Sequence, residues 1–405
     1  MGQLVGPDFP IRLCLAVSGG GDSMAMLHLA AGWSRVYGVR LSVATVDHRL
    51  RETSAAEADM VAAAAQDLGL RHQILVWDGW DGKGNLQDAA RQARRRLLAQ
   101  AAGGAPVLMA HTRDDQAETV LLRLARGSGV DGLAAMADDA RGDNLRLLRP
   151  LLTETRHDLR HYLAVLKIPY VDDPSNADRD YARVRMRELI GAEGLDTATL
   201  AATATHMARA KAALQGLARD AMGRLSRPDP TAPGAVVWDR DGFAALPAET
   251  RLRLAAAALM AVTAAAYRPR LDPLEDAVDR ALSGGAAPLA GGMIVPHRDV
   301  LYVCREPQAV VRAMAVAGPD CRWDTGWCLE GPEINGLTVR AVGEAGLHQI
   351  TCKPRPRAPR HVLTGLPGIW NGDRLVAFGP LGFGPVHRMV PRGSGEELTL
   401  ARLAH

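Results

Sequence analysis

The sequence predicts an α/β fold: a doubly wound parallel sheet, followed by a helical segment and a smaller α+β part. Three observations carry that expectation. Short apolar runs alternate with longer amphipathic stretches between residues 11 and 110, the signature of βαβ units covered on both faces. A run of glycines joins the first apolar run directly to the first amphipathic stretch. With 405 residues, 47% hydrophobic and 23% charged, the chain is a soluble globular protein too long for one hydrophobic core.

Taken in order, residues 11–17 read as the first strand and residues 18–23 as a turn that opens a helix. Strands at 41–46, 72–77 and 107–110 then alternate with helices at 54–68 and 86–101. From residue 155 the pattern is helical through Leu159, Tyr162, Leu163 and Leu166, and an alanine-rich helix runs over 195–225. The proline-rich stretch at 227–234 breaks it and marks a domain boundary. Beyond it come a helix at 250–266 and short apolar segments between Gly and Pro. The expected organisation is therefore a nucleotide-binding catalytic domain at 1–192, a helical connector at 193–228 and a C-terminal region at 229–405.

The turn is the most specific chemical feature. In Ser18, Gly19, Gly20, Gly21, Asp22 and Ser23, the glycines let the main chain close on a ligand. The helix start presents free N–H groups, and the two serines add hydroxyls, so a phosphate fits there. No lysine follows the glycines, which excludes a Walker-type loop, and the register does not match G-x-G-x-x-G. In a parallel sheet, ligands sit beyond the carboxyl ends of the strands, where the turns at Asp47 and His48 and at His111 also fall. The first of these reads either as a polar turn or as a nucleotide contact.

On the helix after His111, Asp114, Asp115 and Glu118 lie within roughly 100° of one another beside the apolar stripe of Ala117, Val120, Leu121 and Leu124. Such acids hold Mg²⁺ or the ammonium groups of a cationic substrate, or merely complement the helix N-terminus. Arg91, Arg94, Arg95 and Arg96, then Arg141, Arg146, Arg149, Arg156, Arg160, Arg179, Arg183, Arg185 and Arg187, are offset by few nearby acids. They read as solvated faces or as contacts to polynucleotide phosphates. A net charge of +3 permits an anionic partner without demanding one. The turn-rich 172–178 feeds into Arg183 and Arg185, whose forks match phosphate or carboxylate oxygens.

The five cysteines, Cys14, Cys304, Cys321, Cys328 and Cys352, are odd in number and contain no C-x-x-C, which suits free thiols in a reducing cytoplasm. Their spacing with His348 and His361 matches no familiar zinc pattern. The first apolar run is too short for a signal or membrane segment, so no membrane association is expected.

Together the motifs resemble the tRNA(Ile)-lysidine synthetases of the PP-loop ATP pyrophosphatase superfamily, with its Rossmann-like nucleotide domain. The resemblance rests on SGGGDS at 18–23, VDHRLR at 46–51 with Ser54 and Glu57, HTRDDQAET at 111–119, RGSGVDGL at 126–133 and DPSNADRDYARVRMR at 173–187. Two positions depart: Arg49 stands where the family often has glycine, and Val184 where it often has asparagine. The resemblance implies ATP-dependent ligation of free L-lysine to the wobble cytidine of a CAU-anticodon tRNA(Ile), through an adenylylated base, with AMP and pyrophosphate released. It implies ATP and Mg²⁺ as cofactors.

In these terms Asp22, His111, Asp114, Asp115 and Glu118 are the catalytic candidates, and Ser18 to Ser23 with Asp47 and His48 the nucleotide contacts. Asp115, Glu118, Asn176, Arg183 and Arg185 are the substrate contacts, and Asp114 and Asp115 the Mg²⁺ ligands. The later half resembles the family's C-terminal tRNA-binding part more loosely, through residues 241–243 and 366–370. Lys353, Arg355, Arg357 and Arg360, spaced by prolines, read as RNA contacts or as a solvated linker. The oligomeric state is left open, a homodimer included. The rivals are a tRNA thiolase with the same loop, which needs a reactive cysteine or an iron–sulfur cluster, and an RNA-binding protein switched by ATP.

Overall fold

The computed structural model describes the chain except residues 7–8, 50–53, 78, 81–85, 143–144, 173–178, 319–320, 331–335, 351–355, 386–387 and 404–405, and the side chains of Gln3, Gln87 and Arg388. Asn176 and its loop, Leu50, Arg51, Cys352, Lys353 and Arg355 therefore lie outside the described residues. The chain forms two compact units, Met1–Lys211 and Ala212–His405.

In the first unit a short helix α1 (Gly2–Val5) precedes β1 (Arg12–Ala16), α2 (Gly21–Tyr37), β2 (Arg40–Asp47), α3 (Ser54–Asp67), β3 (Arg71–Val76), α4 (Leu86–Ala102) and β4 (Val107–Leu108). Then follow α5 (Arg113–Leu124), α6 (Val130–Leu133), β5 (Asp139–Gly142), β6 (Leu145–Leu148), α7 (Arg156–Val165), α8 (Ala182–Ala192) and α9 (Thr197–Leu225). The sheet order is β3-β2-β1-β4-β6-β5. Its strands run parallel except β5, which pairs antiparallel with β6 along the edge.

Alternation along β1 feeds two layers. Leu13 and Leu15 pack with Met24, Leu27 and Leu163 on one face, while Cys14 packs with Ala44, Leu98 and Val107 on the other. This is the two-sided burial that the apolar runs require. The order reverses between β1 and β4, so the crevice beyond their carboxyl ends is the switch point at which such sheets bind ligands.

Helix α9 contains the division between the units. Its end, Ala218, Ala221, Met222 and Leu225, is buried in the second core with Trp238, Phe243, Leu254 and Leu274. The proline-rich stretch expected as a boundary packs within that second unit. Asp229 accepts the Thr231 N–H at 2.8 Å and the Tyr302 hydroxyl at 2.7 Å, and Ala232 is buried.

The second unit holds a four-stranded antiparallel sheet of β7 (Val236–Asp239), β8 (Ala287–Leu289), β9 (Gly292–His297) and β10 (Val300–Arg305). Helices α10 (Arg240–Ala244), α11 (Ala248–Thr263) and α12 (Leu271–Leu282) accompany it. Two smaller antiparallel sheets follow, one of β11 (Met314–Val316), β14 (Thr338–Ala341), β15 (Pro367–Asn371) and β16 (Arg374–Ala377), the other of β12 (Arg322–Trp323), β13 (Trp327–Glu330) and β17 (Arg388–Pro391). Trp323, Trp370 and Phe378 fill their core. Among the described residues no helix is long and apolar enough to cross a membrane.

Candidate active site

A cavity of about 430 Å³ opens at the switch point. Its floor is the glycine turn and the ends of β1, β2 and β4; its walls come from α4, α5, α7 and α8.

The turn is built to leave its helix end open. Gly20 is the N-cap of α2 and no side chain caps it, so the amide dipoles of the first turn point into the cavity. The two serines brace the loop: Ser18 N–H donates to Ser23 Oγ at 3.1 Å, and Ser23 Oγ donates to the Gly20 carbonyl at 2.9 Å. Gly19 takes φ +88, and its carbonyl accepts the Val171 N–H at 3.0 Å. A Cβ on Gly21 would stand 3.3 Å from the Tyr170 ring. Residues 170–171 thus back the turn and hold it in place.

Opposite, Thr112 caps α5 and forms a reciprocal capping box with Asp115. Asp115 Oδ2 accepts the Thr112 N–H at 2.8 Å and its hydroxyl at 3.0 Å, which turns Oδ1 toward Arg156. The Arg156 guanidinium stands among three acids, 3.3 Å from Asp22, 3.3 Å from Asp115 and 3.6 Å from Glu118. These distances exceed the 2.7–2.9 Å of a tight charge-assisted pair. Glu118 is 1% exposed and accepts from Arg187 Nε at 2.9 Å. Asp22 Oδ1 and Glu118 Oε2 are buried and have no hydrogen-bond partner among the described residues.

Burial pushes the Asp22 carboxyl above its ordinary range, with the like charge of Asp115 adding to it and Arg156 opposing. Glu118 is raised for the same reason, against the pull of Arg187. For Arg156, burial alone would lower the pKa, but Asp115, Asp22, Glu118 and Asp114 together outweigh it. The pocket therefore has a buried acid corner beside the turn and a basic side of Arg94, Arg160 and Arg183.

The structure brings Ser18, Gly20, Gly21, Asp22, Ser23, His111, Asp115, Glu118 and Arg183 to one cavity. It places other expected residues elsewhere. Asp114 Oδ2 accepts the Arg156 backbone N–H at 2.8 Å and does not line the cavity. Asp114 thus spends one oxygen on a backbone N–H and Asp115 spends one on its cap, and among the described residues no metal-ligating group of three His, Cys, Asp or Glu is found. Asp47 Oδ1 accepts the Arg49 N–H at 2.8 Å, closing its own turn. His48 reaches the cavity only through Arg94, whose Nη2 lies 3.1 Å from its Nε2. Arg185 donates to the carbonyls of Arg179 and Asp180 instead of lining the cavity.

Arg156 and Arg187, read from the sequence only as members of an arginine tract, are central here. One signal for Arg156 was present: it begins α7, where the helix dipole disfavours a cation unless a partner holds it.

A PP-loop domain family model matches residues 1–193. Similar proteins include a tRNA(Ile)-lysidine synthase from Ruegeria pomeroyi, 41% identical over 374 residues, 91% of this chain and 88% of its own length. One from a Bradyrhizobium species is 42% identical over 322 residues, 73% of this chain and 90% of its own. A third, from Bradyrhizobium diazoefficiens, is 45% identical over 289 residues, 68% and 80% respectively. A PP-loop unit with this cavity at its switch point, and likeness along nearly its whole length, place the chain in the tRNA(Ile)-lysidine synthase family.

Proposed function

We propose that the enzyme joins free L-lysine to the wobble cytidine of a CAU-anticodon tRNA(Ile) at the expense of ATP. The carrying observation is one cavity in which an acid corner, Asp22, Asp115 and Glu118, lies beside an open phosphate-type turn, with Arg94, Arg160 and Arg183 on its basic side. Residues 18–23 hold the pyrophosphate of ATP and present the α-phosphorus to the cavity. The carbonyl oxygen at position two of cytosine attacks it; an O–P bond forms, the bond to the β-phosphate breaks and pyrophosphate leaves. The lysine ε-amine then attacks the activated ring carbon. A C–N bond forms, the C–O bond breaks, AMP departs with the oxygen, and the amine sheds a proton.

Glu118 and Asp115 receive an ammonium group of lysine: Glu118 has a buried oxygen for which no partner is found among the described residues, which makes a strong cation site, and Asp115 adds its negative charge beside it. The open oxygen of Asp22 suits Mg²⁺ arriving on the triphosphate; when bound, the ion neutralises charge on the departing pyrophosphate. Arg94, Arg160 and Arg183 line the path of anionic substrate, and region 229–405 supplies further tRNA contacts, joined by the connector at 193–228. None of the described cysteines lines the cavity, and Cys14 is buried within β1, which favours attack by an amine over sulfur transfer. Their free thiols suit a reducing cytoplasm.

The test is an assay with ATP, labelled lysine and a CAU-anticodon transcript. Pyrophosphate release that depends on transcript, with the mass of lysine added to the anticodon base, is expected; Glu118→Gln should keep the release and lose lysine incorporation by roughly 10²-fold or more. Nucleotide binding without pyrophosphate release would instead mark an ATP-switched RNA-binding protein.

A further inference from the structure

The hydrogen bond between Arg149 and His111 fixes more than the position of a ring. Arg149 follows β6, which pairs parallel with β4, so the two residues leave neighbouring strand ends side by side. Arg149 Nε lies 3.2 Å from His111 Nδ1. A guanidinium has donors and no acceptor, so Nδ1 must offer its lone pair. In the neutral imidazole the proton is then on Nε2, for which no partner is found among the described residues, while the side chain lines the cavity. We infer that Arg149 is a positioning residue that locks His111 as the Nε2–H tautomer, making this histidine a hydrogen-bond donor to the cavity and not a general base.

The surroundings keep the ring neutral. Burial is the largest cause, and although Asp115 on α5 pulls the other way, Arg149 after β6, Arg183 on α8 and Arg91 on α4 all oppose a second proton, so that the His111 pKa falls to about 4. Arg149 is itself anchored, its N–H donating to the Asp138 carbonyl at 2.8 Å and its Nη1 donating to the Ala137 carbonyl. A neutral N–H fixed in a cavity stabilises an oxygen as it gains negative charge, without moving a proton. The oxygens that do so in the proposed reaction are those of the α-phosphate, and this part of the inference rests on the proposed function.

Two measurements on the full-length enzyme test the idea. Nitrogen-15 spectra that resolve the imidazole tautomer should show Nε2–H for His111 at pH 7 in the wild type. In Arg149→Leu they should show a mixture with Nδ1–H, and transcript-dependent pyrophosphate release should gain an acid limb that the wild type lacks over pH 5–8. Arg149→Gln, which keeps an amide donor, should restore the tautomer in part.

His111→Gln, whose amide nitrogen can donate but cannot take up a proton, should lose less than about tenfold in pyrophosphate release, against roughly 10²–10³-fold for His111→Ala. An Nδ1–H wild type, an unchanged tautomer in Arg149→Leu, or a Gln variant as inactive as the Ala variant would overturn the inference. Should Arg149→Leu fail to fold, the wild-type spectrum and the two His111 variants still decide it. Absence of pyrophosphate release from the wild type would sink the reaction reading and leave the tautomer to the spectrum.

Discussion

Asp22 and Glu118 are tuned against the stability of the empty enzyme. Each has a buried oxygen with no partner among the described residues, and burial raises both pKa values above the ordinary carboxylate range. A raised folded-state pKa means that the fold prefers the neutral acid, so the stabilising contribution is full at low pH and is lost as pH climbs through the folded value. Binding an ammonium group requires the opposite, ionised, form. The KM for lysine should therefore rise as pH falls from 7 toward 5, whereas thermal melting of the empty enzyme should show Glu118→Gln more stable than the wild type at pH 8, with the gap closing on acidification. Melting curves that are parallel across pH, or a KM indifferent to acid, would remove Glu118 from the ammonium site. Arg156 moderates this cost: among Asp22, Asp115 and Glu118, at 3.3–3.6 Å from each, it offsets charge without gripping any one acid.

At the scale of elements, α5 makes one residue serve structure and chemistry together, since the oxygen of Asp115 that completes the capping box fixes where the other points. Thr112→Ala should cost about 1 kcal/mol in denaturant unfolding. It should also weaken lysine use by more than that loss of stability explains, with Thr112→Ser recovering both; full activity in the Ala variant would make the cap purely structural. Elements that carry period-2 or period-3.6 patterns were legible from sequence, as β1, β2 and α7 illustrate. Strand β5 was not, because Asp139-Ala-Arg-Gly shows no alternation and its edge position asks for none. The turn at 18–23 was legible because its chemistry is local. The partnership of Asp22 with Arg156 was not, for it spans 134 residues and exists only once α2 and α7 pack together. Asp114 and Asp47 looked equally chemical, yet each spends an oxygen on a nearby backbone N–H, a competition that sequence spacing does not reveal. Arg49 takes φ +49, in the left-handed region that favours glycine, the residue that the resemblance leads one to expect at that position.

Across the whole molecule, charge is placed by region and not by total. A net charge of only +3 would give weak attraction for a polynucleotide if it were spread evenly, but the arginines crowd α4 and the span from Arg141 to Arg187, around a cavity whose acids are buried and already balanced by Arg156 and Arg187. Long-range attraction for RNA and short-range capture of a small cation can thus share one entrance. Salt should separate them. Exposed arginines that meet about six to ten phosphates release as many counterions, so transcript affinity should drop by roughly 10³–10⁵-fold between 50 and 200 mM salt. Glu118 is only 1% exposed, and buried charges are screened far less. The KM for lysine, measured at saturating transcript, should then move by less than about threefold over the same range. Filter binding and steady-state kinetics on one preparation make the comparison direct. A flat profile for the transcript would remove the arginine tracts from the tRNA surface, and a lysine KM that tracked the salt would place the ammonium site in solvent instead of at Glu118.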